Sequence, residues 1–427
     1  MFKRTALCAS LLFPLYACAA DTPAAHDDAD PRSLEERVRQ LEQQQREEHP
    51  RSRPNAFNPE IALILSGTYG NLRRDPALPA TGFALSPNNN GHTRGFSLKE
   101  SELGIAADID PQFRGVGTFS LAPGGGLGVE NAFVQTSALG GGFSLKFGRF
   151  FSGLGYLNEQ HAHAWDFVDQ PLVYVTFWDN QLAHDGVQLK WLAPADLFIE
   201  FGGELGDGGR FPGGGQPKNG SGAGTLFVHA GDDIGASHSW RAGASLHQTG
   251  LANWSGSVPN QAGVLAAETF TGNAHTAGLD FVWKYAPGGN STVTNFKLQG
   301  EYFRRTQNGV LAYTPLAGLA AADSYANTQS GWYLQGVYQF MPMWRAGLRH
   351  DRLDSGNAQV GALLAASVLG NYHYAPTRTT LMLDYSPSEF SRLRLQLARD
   401  NSRLGLPDTQ LFLQYTMSMG AHGAHQF

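Results

Sequence analysis

The feature that most constrains this chain is a long series of short segments in which apolar and polar residues alternate. One of them sets Leu279, Phe281, Trp283 and Tyr285 against Asp280, Val282 and Lys284. A period of two predicts strands with two different faces. No apolar stretch approaches the roughly 18 residues of a membrane-spanning helix, so helical spans are excluded. We predict about sixteen strands, near 61–66, 102–109, 113–121, 127–138, 143–155, 186–193, 197–207, 225–234, 239–250, 277–286, 294–307, 329–340, 344–354, 376–386, 391–402 and 409–421.

The connections between these segments alternate between short and long. Short turns are predicted near 110, 140, 193, 235, 287, 341 and 386, and the longest connections at 73–95, 156–185, 208–224, 251–275, 308–328 and 355–375. This rhythm is typical of a transmembrane barrel with short periplasmic turns and long extracellular loops. A soluble all-β sandwich or solenoid is the alternative. We predict an all-β fold, a transmembrane antiparallel β-barrel of about 16 strands over 55–427.

The N-terminus has the pattern of a secretory signal peptide. Lys3 and Arg4 precede a mostly apolar run, and small residues follow up to Ala19 or Ala20. We predict a signal peptide over 1–20; the residues around Cys18 also faintly resemble a lipoprotein cleavage box. Cys8 is the only other cysteine, so ordinary cleavage leaves a mature chain without disulfide or thiol chemistry.

Residues 21–54 are predicted to form a periplasmic linker with a short coiled-coil helix. Ser33 and Glu36 have the spacing of a capping box. The apolar residues at coiled-coil spacing are Leu34, Val38 and Leu41. So short a helix is marginal alone, which leaves two interpretations: self-association or a frayed tether. The formal net charge of −6 argues against nucleic acid as a partner.

The faces of the predicted strands assign several arginines to the barrel interior. A charged side chain facing lipid at the membrane midplane costs roughly 2–4 kcal/mol, so charged positions on these strands should face inward. The inward arginines predicted to line the pore as a basic wall are Arg345, Arg349, Arg378, Arg392 and Arg394. Tryptophans near the strand ends, Trp191, Trp240, Trp283, Trp332 and Trp344, match an interfacial girdle.

The connection after the fifth strand is acidic and aromatic. It contains no Lys or Arg, and its predicted constriction-loop acids are Glu159, Asp166, Asp169 and Asp179. Its aromatic residues would be poorly placed in water, so we expect the loop to fold into the lumen. We predict that its acids face the basic wall across a narrow pore and set up a transverse field. The alternative is a solvated acidic loop, with the arginines paired to inward Asp351, Asp384 and Asp400.

The same loop offers a candidate metal site. His161 and His163 lie near Glu159 and Asp166 in sequence, and His422 and His425 add imidazoles at the C-terminus. Imidazole and carboxylate are ligands that suit zinc. An isolated H-x-H pattern is a weak signal, so either no cofactor or a zinc ion is compatible with the sequence.

Taken together, the strand pattern, the acidic loop and the final Phe427 resemble the sixteen-stranded outer-membrane porins of Gram-negative bacteria, in particular the phosphate-selective-porin-like group. The segments "GFSLKESEL", "GRFFSGLGYLNEQHAHAWDFVD" and "GAHGAHQF" also resemble proteins often labelled zinc-regulated outer-membrane receptors. The porin resemblance implies location in the cell outer membrane in contact with its lipid, with the N-terminal segment in the periplasm. It also implies a homotrimer, and recognition of Phe427 as an assembly signal by the barrel-assembly machinery.

Two function classes compete. The first is a porin, not an enzyme, with no catalytic residues and a water-filled channel for passive diffusion of small hydrophilic solutes or ions. The second is an outer-membrane receptor or channel for zinc acquisition that uses His161 and His163. A third class, an outer-membrane hydrolase, would need a serine partner for His350, and none is identifiable.

Overall fold

A computed structural model of the chain describes residues 59–420 apart from 77, 84, 87–91, 100, 122–125, 215–218, 260–264, 316–319 and 365–373. The predicted signal peptide (1–20), the predicted coiled-coil linker (21–54), His422, His425 and Phe427 lie outside these residues. The boundaries predicted there stay predictions.

The described residues form eighteen β elements, all joined in one sheet. They are β1 (Glu60–Asn71), β2 (Gly95–Leu98), β3 (Ser101–Asp110), β4 (Phe113–Leu121), β5 (Leu127–Thr136), β6 (Phe143–Phe151), β7 (Ala183–Leu192), β8 (Phe198–Gly206), β9 (Ala223–Ile234), β10 (His238–Pro259), β11 (Leu265–Tyr285), β12 (Asn295–Pro315), β13 (Ala321–Met341), β14 (Trp344–Asp354), β15 (Gln359–Val360), β16 (Thr377–Ser388), β17 (Ser391–Asn401) and β18 (Asp408–Gly420). β2 and β3 both pair with β1 and form one interrupted barrel strand. The two-residue β15 only adds to the edge of β13.

These elements close into a sixteen-strand antiparallel barrel, as predicted. Each barrel strand pairs with its neighbours in sequence, and the first strand pairs with the last. The closing register runs from Ala62 opposite Gly420 to Asn71 opposite Leu411. The alternation that ends the chain therefore builds the seam of the ring, because β18 bonds to β17 on one side and to β1 on the other.

The side chains follow the faces predicted from the alternation. On β11, Leu279 is 60% exposed, whereas its neighbour Asp280 is only 4% exposed. On β14, Leu348 is exposed and Arg349 is buried. The outside is thus an apolar surface and the inside a polar one, which is the arrangement of a barrel in lipid.

Four strands are longer than predicted. β10 has 22 residues and β11, β12 and β13 have 21 each, about twice the 9–11 residues that cross a bilayer. Their additional residues occupy most of the predicted loops 251–275 and 308–328. We misassigned these segments because their outer face is polar, as at Thr271 and Asn273 of β11 and Ser324 of β13. Strand pairing extends the sheet there, and inner-face residues such as Phe270 and Leu311 pack in a buried apolar cluster.

The tryptophans predicted to form the aromatic girdle lie only partly at the strand ends. Trp240, Trp283 and Trp344 lie within three residues of the strand ends that meet at the short turns. Trp332 instead lies in the middle of β13, opposite Tyr302. The reason is that β13 continues past the apolar band. The strand positions from Trp332 to Phe340 are about the 9–11 residues with which a tilted strand crosses the apolar band.

One short α-helix, α1 (Leu172–Trp178), lies in the connection between β6 and β7, and a 3-10 turn at Ala162–Ala164 precedes it. None of the helices within the described part of the chain is long and apolar enough to cross a membrane.

Candidate functional site

The connection between β6 and β7, residues 152–182, folds into the barrel and is called the luminal loop below. Every residue of α1 is buried. Phe177 and Trp178 pack with Phe303 of β12 and Leu353 of β14 in a single apolar cluster. The helix thus fills one side of the interior, which explains why this loop contains so many aromatic residues.

A buried glutamate of β12 holds the start of the luminal loop. The Glu301 carboxylate accepts hydrogen bonds from the backbone N–H groups of Tyr156 and Leu157, at 3.1 and 3.0 Å. It also accepts from the hydroxyls of Tyr174 on α1 and Tyr333 on β13, at 2.8 and 2.6 Å. Four donors on one carboxylate fix the loop and the helix relative to the wall.

Gly155 makes this approach to the wall feasible. Its φ is +71°, a conformation that other residues adopt only at a cost. A Cβ at this position would overlap the Glu301 carboxylate. Glycine is therefore required here both by conformation and by space.

A second set of contacts closes the base of the luminal loop. The Glu204 carboxylate of β8 accepts from the Ser152 hydroxyl and from the Gly153 N–H, at 2.5 and 2.8 Å. The Asn158 side-chain amide donates to the carbonyls of Ser152 and Leu182 and accepts from the Leu182 N–H. The two ends of the loop are thus tied to each other as well as to the barrel.

Two of the predicted basic-wall arginines bind the luminal loop through Asp169. Arg349 Nη2 lies 2.9 Å from Asp169 Oδ1, and Arg378 Nη1 lies 2.6 Å from Asp169 Oδ2. Both guanidinium groups also face Asp351, at 3.1 and 3.5 Å. Burial raises the pKa of Asp169, but Arg378 and Arg349 lower it more, and the net pKa lies well below the usual range. Asp169 is therefore an ionised, buried anchor.

A neighbouring set centres on Asp166. Its carboxylate lies 2.5 Å from Lys297 Nζ and 3.4 Å from Arg345 Nη1. Arg345 and Arg394 share Asp384 of β16, with nitrogen–oxygen distances of 2.6 to 2.9 Å. Burial raises the pKa of Asp166, and the opposing effect of Lys297 and Arg345 is larger, so the pKa is lowered overall.

The remaining arginines of the wall hold loop carbonyls. Arg394 Nη1 donates to the Trp165 carbonyl at 2.9 Å, and Arg392 Nη2 donates to the His163 carbonyl at 2.7 Å. All five predicted arginines therefore face inward, and each of them either contacts the luminal loop or lies in the ion-pair network that holds it.

The predicted separation of acid and base across the pore is wrong. We expected the luminal loop to stay about half a turn of the barrel away from the arginines, but it crosses the interior and pairs with them. The alternative was also incomplete: Asp351 and Asp384 do pair with the arginines, but Asp166 and Asp169 are buried rather than solvated. Opposite charges this close neutralise each other locally, so these loop acids and arginines do not set up the predicted transverse field across the pore.

The other two predicted loop acids lie apart from this network. Glu159 lies 3.2 Å from Lys190 Nζ of β7. Asp179 is exposed, follows the last residue of α1 with a left-handed backbone (φ 49°) and has no ion pair within the described residues.

An open cavity of about 800 Å³ remains between the luminal loop and the end of the barrel where the short turns lie. Its lining includes Lys146, Lys190 and Arg241 together with Glu159 and Tyr156. A solute that crosses the barrel meets this mixed-charge chamber and the edge of the luminal loop.

The predicted histidines meet two glutamates that we did not predict. His161 Nδ1 lies 2.9 Å from Glu130 Oε2 and 3.4 Å from Glu102 Oε2, and His163 Nδ1 lies 2.9 Å from the same Glu102 oxygen. Glu102 is on β3 and Glu130 on β5. The acids expected beside the histidines, Glu159 and Asp166, pair with lysines and an arginine elsewhere. Proximity in sequence was misleading because the loop folds back on the wall.

Comparisons with known proteins agree with this architecture. No protein-family model matches the chain. A protein of Aquifex aeolicus (strain VF5), described as uncharacterized, is 28% identical over 404 residues, which cover 87% of this chain and 80% of that protein.

Among solved structures, the trimer form of OmpT, an outer membrane protein of Vibrio cholerae, superposes with a TM-score of 0.52 at 11% identity, covering 86% of this chain and 100% of that one. The outer membrane channel DcaP of Acinetobacter baumannii superposes with a TM-score of 0.50 at 12% identity, covering 85% and 97%. The fold is that of outer-membrane porins and channels. The resemblance to zinc-regulated receptors stays a prediction.

Proposed function

We propose that this protein is an outer-membrane porin, a water-filled channel for passive diffusion of small hydrophilic solutes or ions. The observation that carries the proposal is the closed sixteen-strand barrel with an apolar outside and a polar inside. A barrel of this size is wide enough to leave an aqueous channel. The likeness of fold to outer-membrane channels supports the same conclusion.

The luminal loop is the proposed constriction. It is held by the carboxylates of Glu301 and Glu204 and by the arginines around Asp169 and Asp166. Buried, charge-assisted contacts of this kind fix one geometry. The constriction should therefore have a constant width, and solutes should be selected by size at the loop edge and by charge in the chamber below it.

The charges at the constriction predict weak rather than strong ion selectivity. Asp166 and Asp169 are neutralised by the arginines they contact. The chamber carries both signs, and its acidic side chains outnumber its lysines and arginines, so we expect a modest preference for cations. Neither anions nor cations are strongly excluded by such a lining.

Planar-bilayer recording of the refolded protein tests this function. We expect stepwise, ohmic openings and a small reversal potential under a salt gradient. The matched control is a refolded preparation of equal mass that lacks the closing strand, residues 408–427. Absence of openings over many insertions of the full-length chain would contradict the proposal.

The oligomeric state belongs to the same proposal. We propose a homotrimer in the outer membrane, with the predicted coiled coil in the periplasm and Phe427 read by the barrel-assembly machinery. The trimer form of the Vibrio cholerae protein supports it. We expect a trimer mass in mild detergent, and Leu34→Asp with Leu41→Asp should weaken it. A strictly monomeric mass would contradict the trimer and leave the channel proposal intact.

Zinc acquisition is the second candidate function. The convergence of His161 with Glu102 and Glu130 beside the chamber favours it, since His161 and Glu102 line the chamber. A zinc transporter should show a Zn²⁺ flux through the open channel that is lost in His161→Ala. A simple porin should instead carry Zn²⁺ and Mg²⁺ at similar rates, both as the wild type and as His161→Ala.

A further inference from the structure

Three side chains from separate parts of the fold bring metal-ligating atoms together at the edge of the chamber. Glu102 comes from β3, Glu130 from β5 and His161 from the luminal loop. One ligand atom of each lies within 4.8 Å of the other two. The second loop histidine, His163, lies 2.9 Å from Glu102 and stacks on His161, with ring centroids 5.8 Å apart.

From this geometry we propose that Glu102, Glu130 and His161 bind one divalent first-row transition-metal ion, with His163 beside it, and that the ion joins the luminal loop to β3 and β5. This inference does not rest on the proposed channel function, because binding at this place requires only the folded barrel.

The charge of the ligands supports a cation. Glu102 and Glu130 are 2% and 8% exposed, and two carboxylates this close in a poorly hydrated place repel each other. A divalent ion bound between the two carboxylates would offset their combined charge of −2.

The chemistry of the ligands indicates which ions fit. Calcium and magnesium prefer an all-oxygen shell, whereas imidazole with carboxylate suits zinc and its neighbours. Three protein ligands leave a fourth position open for water or His163. Glu102, His161 and His163 line the chamber, so an ion can enter from it.

Asn131 provides a test in which the direction of the change in metal affinity can be predicted. Its Nδ2 lies 3.0 Å from His161 Nε2, and its Oδ1 accepts from the Phe151 N–H at 3.2 Å. In this arrangement Nε2 is an acceptor and the proton is on Nδ1, which points to the glutamates. A metal on Nδ1 moves the proton to Nε2, and the amide must then turn its oxygen toward the ring. An aspartate at 131 would accept that proton without rearrangement, as carboxylates behind metal-bound histidines do.

The experiment uses the full chain refolded in detergent at pH 7, with Zn²⁺ binding measured by calorimetry and Co²⁺ binding by visible absorption. We expect one equivalent of metal per chain, not displaced by millimolar Mg²⁺ or Ca²⁺. Glu102→Gln with Glu130→Gln should weaken binding at least tenfold, as should His161→Ala. Asn131→Asp should strengthen binding at least tenfold.

Two controls separate this site from others on the chain. His275→Ala changes an exposed histidine on the outer face of β11 and should leave binding unchanged. His422→Ala with His425→Ala removes the C-terminal imidazoles and should also leave it unchanged. Circular dichroism and the unfolding temperature in detergent show whether each variant has folded, independently of channel activity. The proposal is overturned if the wild type binds no Zn²⁺, if the double glutamine variant binds as the wild type does, or if Asn131→Asp does not bind more tightly.

Discussion

Asp169→Asn is the substitution that most directly tests whether the arginine network holds the constriction. The change keeps the shape of the side chain and removes its charge. Asp169 is 4% exposed and lies 2.9 Å from Arg349, 2.6 Å from Arg378 and 3.0 Å from the Gln396 amide. Removing one partner of a buried ion pair costs about 3–5 kcal/mol. Because both arginines keep Asp351, we expect the lower end of that range, about 3 kcal/mol.

A loss of about 3 kcal/mol raises the population of a displaced luminal loop roughly a hundredfold. In single-channel recordings this should appear as larger conductance and frequent transitions between levels. The reversal potential should also shift toward anions at low salt, because the variant has one negative charge fewer. Asp179→Asn is the matched control, since it removes the same charge at an exposed position of the same loop without an ion pair.

A double-mutant cycle with Arg349→Met isolates the pair from general effects on the fold. We expect the current noise of the double variant to rise by less than the sum of the increases in the two single variants. The reason is that each single change leaves a buried charge with fewer partners, and the double change removes both charges. If Asp169→Asn has the conductance and noise of the wild type, the luminal loop is not held by this network, and the proposed fixed constriction is wrong.

Three further predictions concern the same loop and wall. Replacing Arg345, Arg349 and Arg394 together by alanine should shift the reversal potential toward cations, and the shift should fade at 1 M salt, where the screening length is about 3 Å. Burial raises the pKa of Glu159, but the opposing effect of the neighbouring lysines of β7 and β6 is larger, and the net pKa is lowered to about 2. The ionised Glu159 therefore stabilises the fold fully above its unfolded pKa of about 4.3, and this stabilisation is lost as the pH falls toward 2. The difference in unfolding free energy between the wild type and Glu159→Gln should accordingly stay constant from pH 7 to 5 and shrink in acid, and a difference that grows in acid would contradict this sign. Gly155→Ala should destabilise the folded barrel by about 1–2 kcal/mol from its positive φ alone, measured as a lower unfolding temperature in detergent. Gly203→Ala is the comparison, since φ is not positive there and a Cβ would make only an ordinary contact with Leu226.

Much of the barrel was predictable because its signal is local. A period of two assigns each strand residue to a face without reference to the rest of the chain, and the buried Arg349 beside the exposed Leu348 follows directly from it. The same rule failed at β10–β13. Outside the bilayer a paired strand needs no apolar outer face, so a segment such as the one around Asn273 has the composition of a loop.

The arrangement inside the barrel was not predictable in the same way. Arg349 and Asp169 are 180 residues apart, and nothing in either neighbourhood indicates the other. The sequence did predict an inserted loop from its aromatic residues, and it identified the arginines. It gave no sign that Glu301 and Glu204 hold the loop, because an inward glutamate on a strand has the same local pattern whether it faces water or a backbone N–H.

The seam between β1 and β18 determines when the barrel can be completed. The Ser66 hydroxyl on β1 donates to the Tyr415 carbonyl on β18 across 349 residues of chain. In an unstructured chain, closing a loop of that length costs about 5 kcal/mol of entropy, whereas the hairpins at the short turns close over only a few residues. The hairpins therefore form first and shorten the effective distance, and the ring closes last. Until then β1 and β18 are open edges able to pair with another chain, so the yield of folded protein depends on how quickly the final strand finds the first.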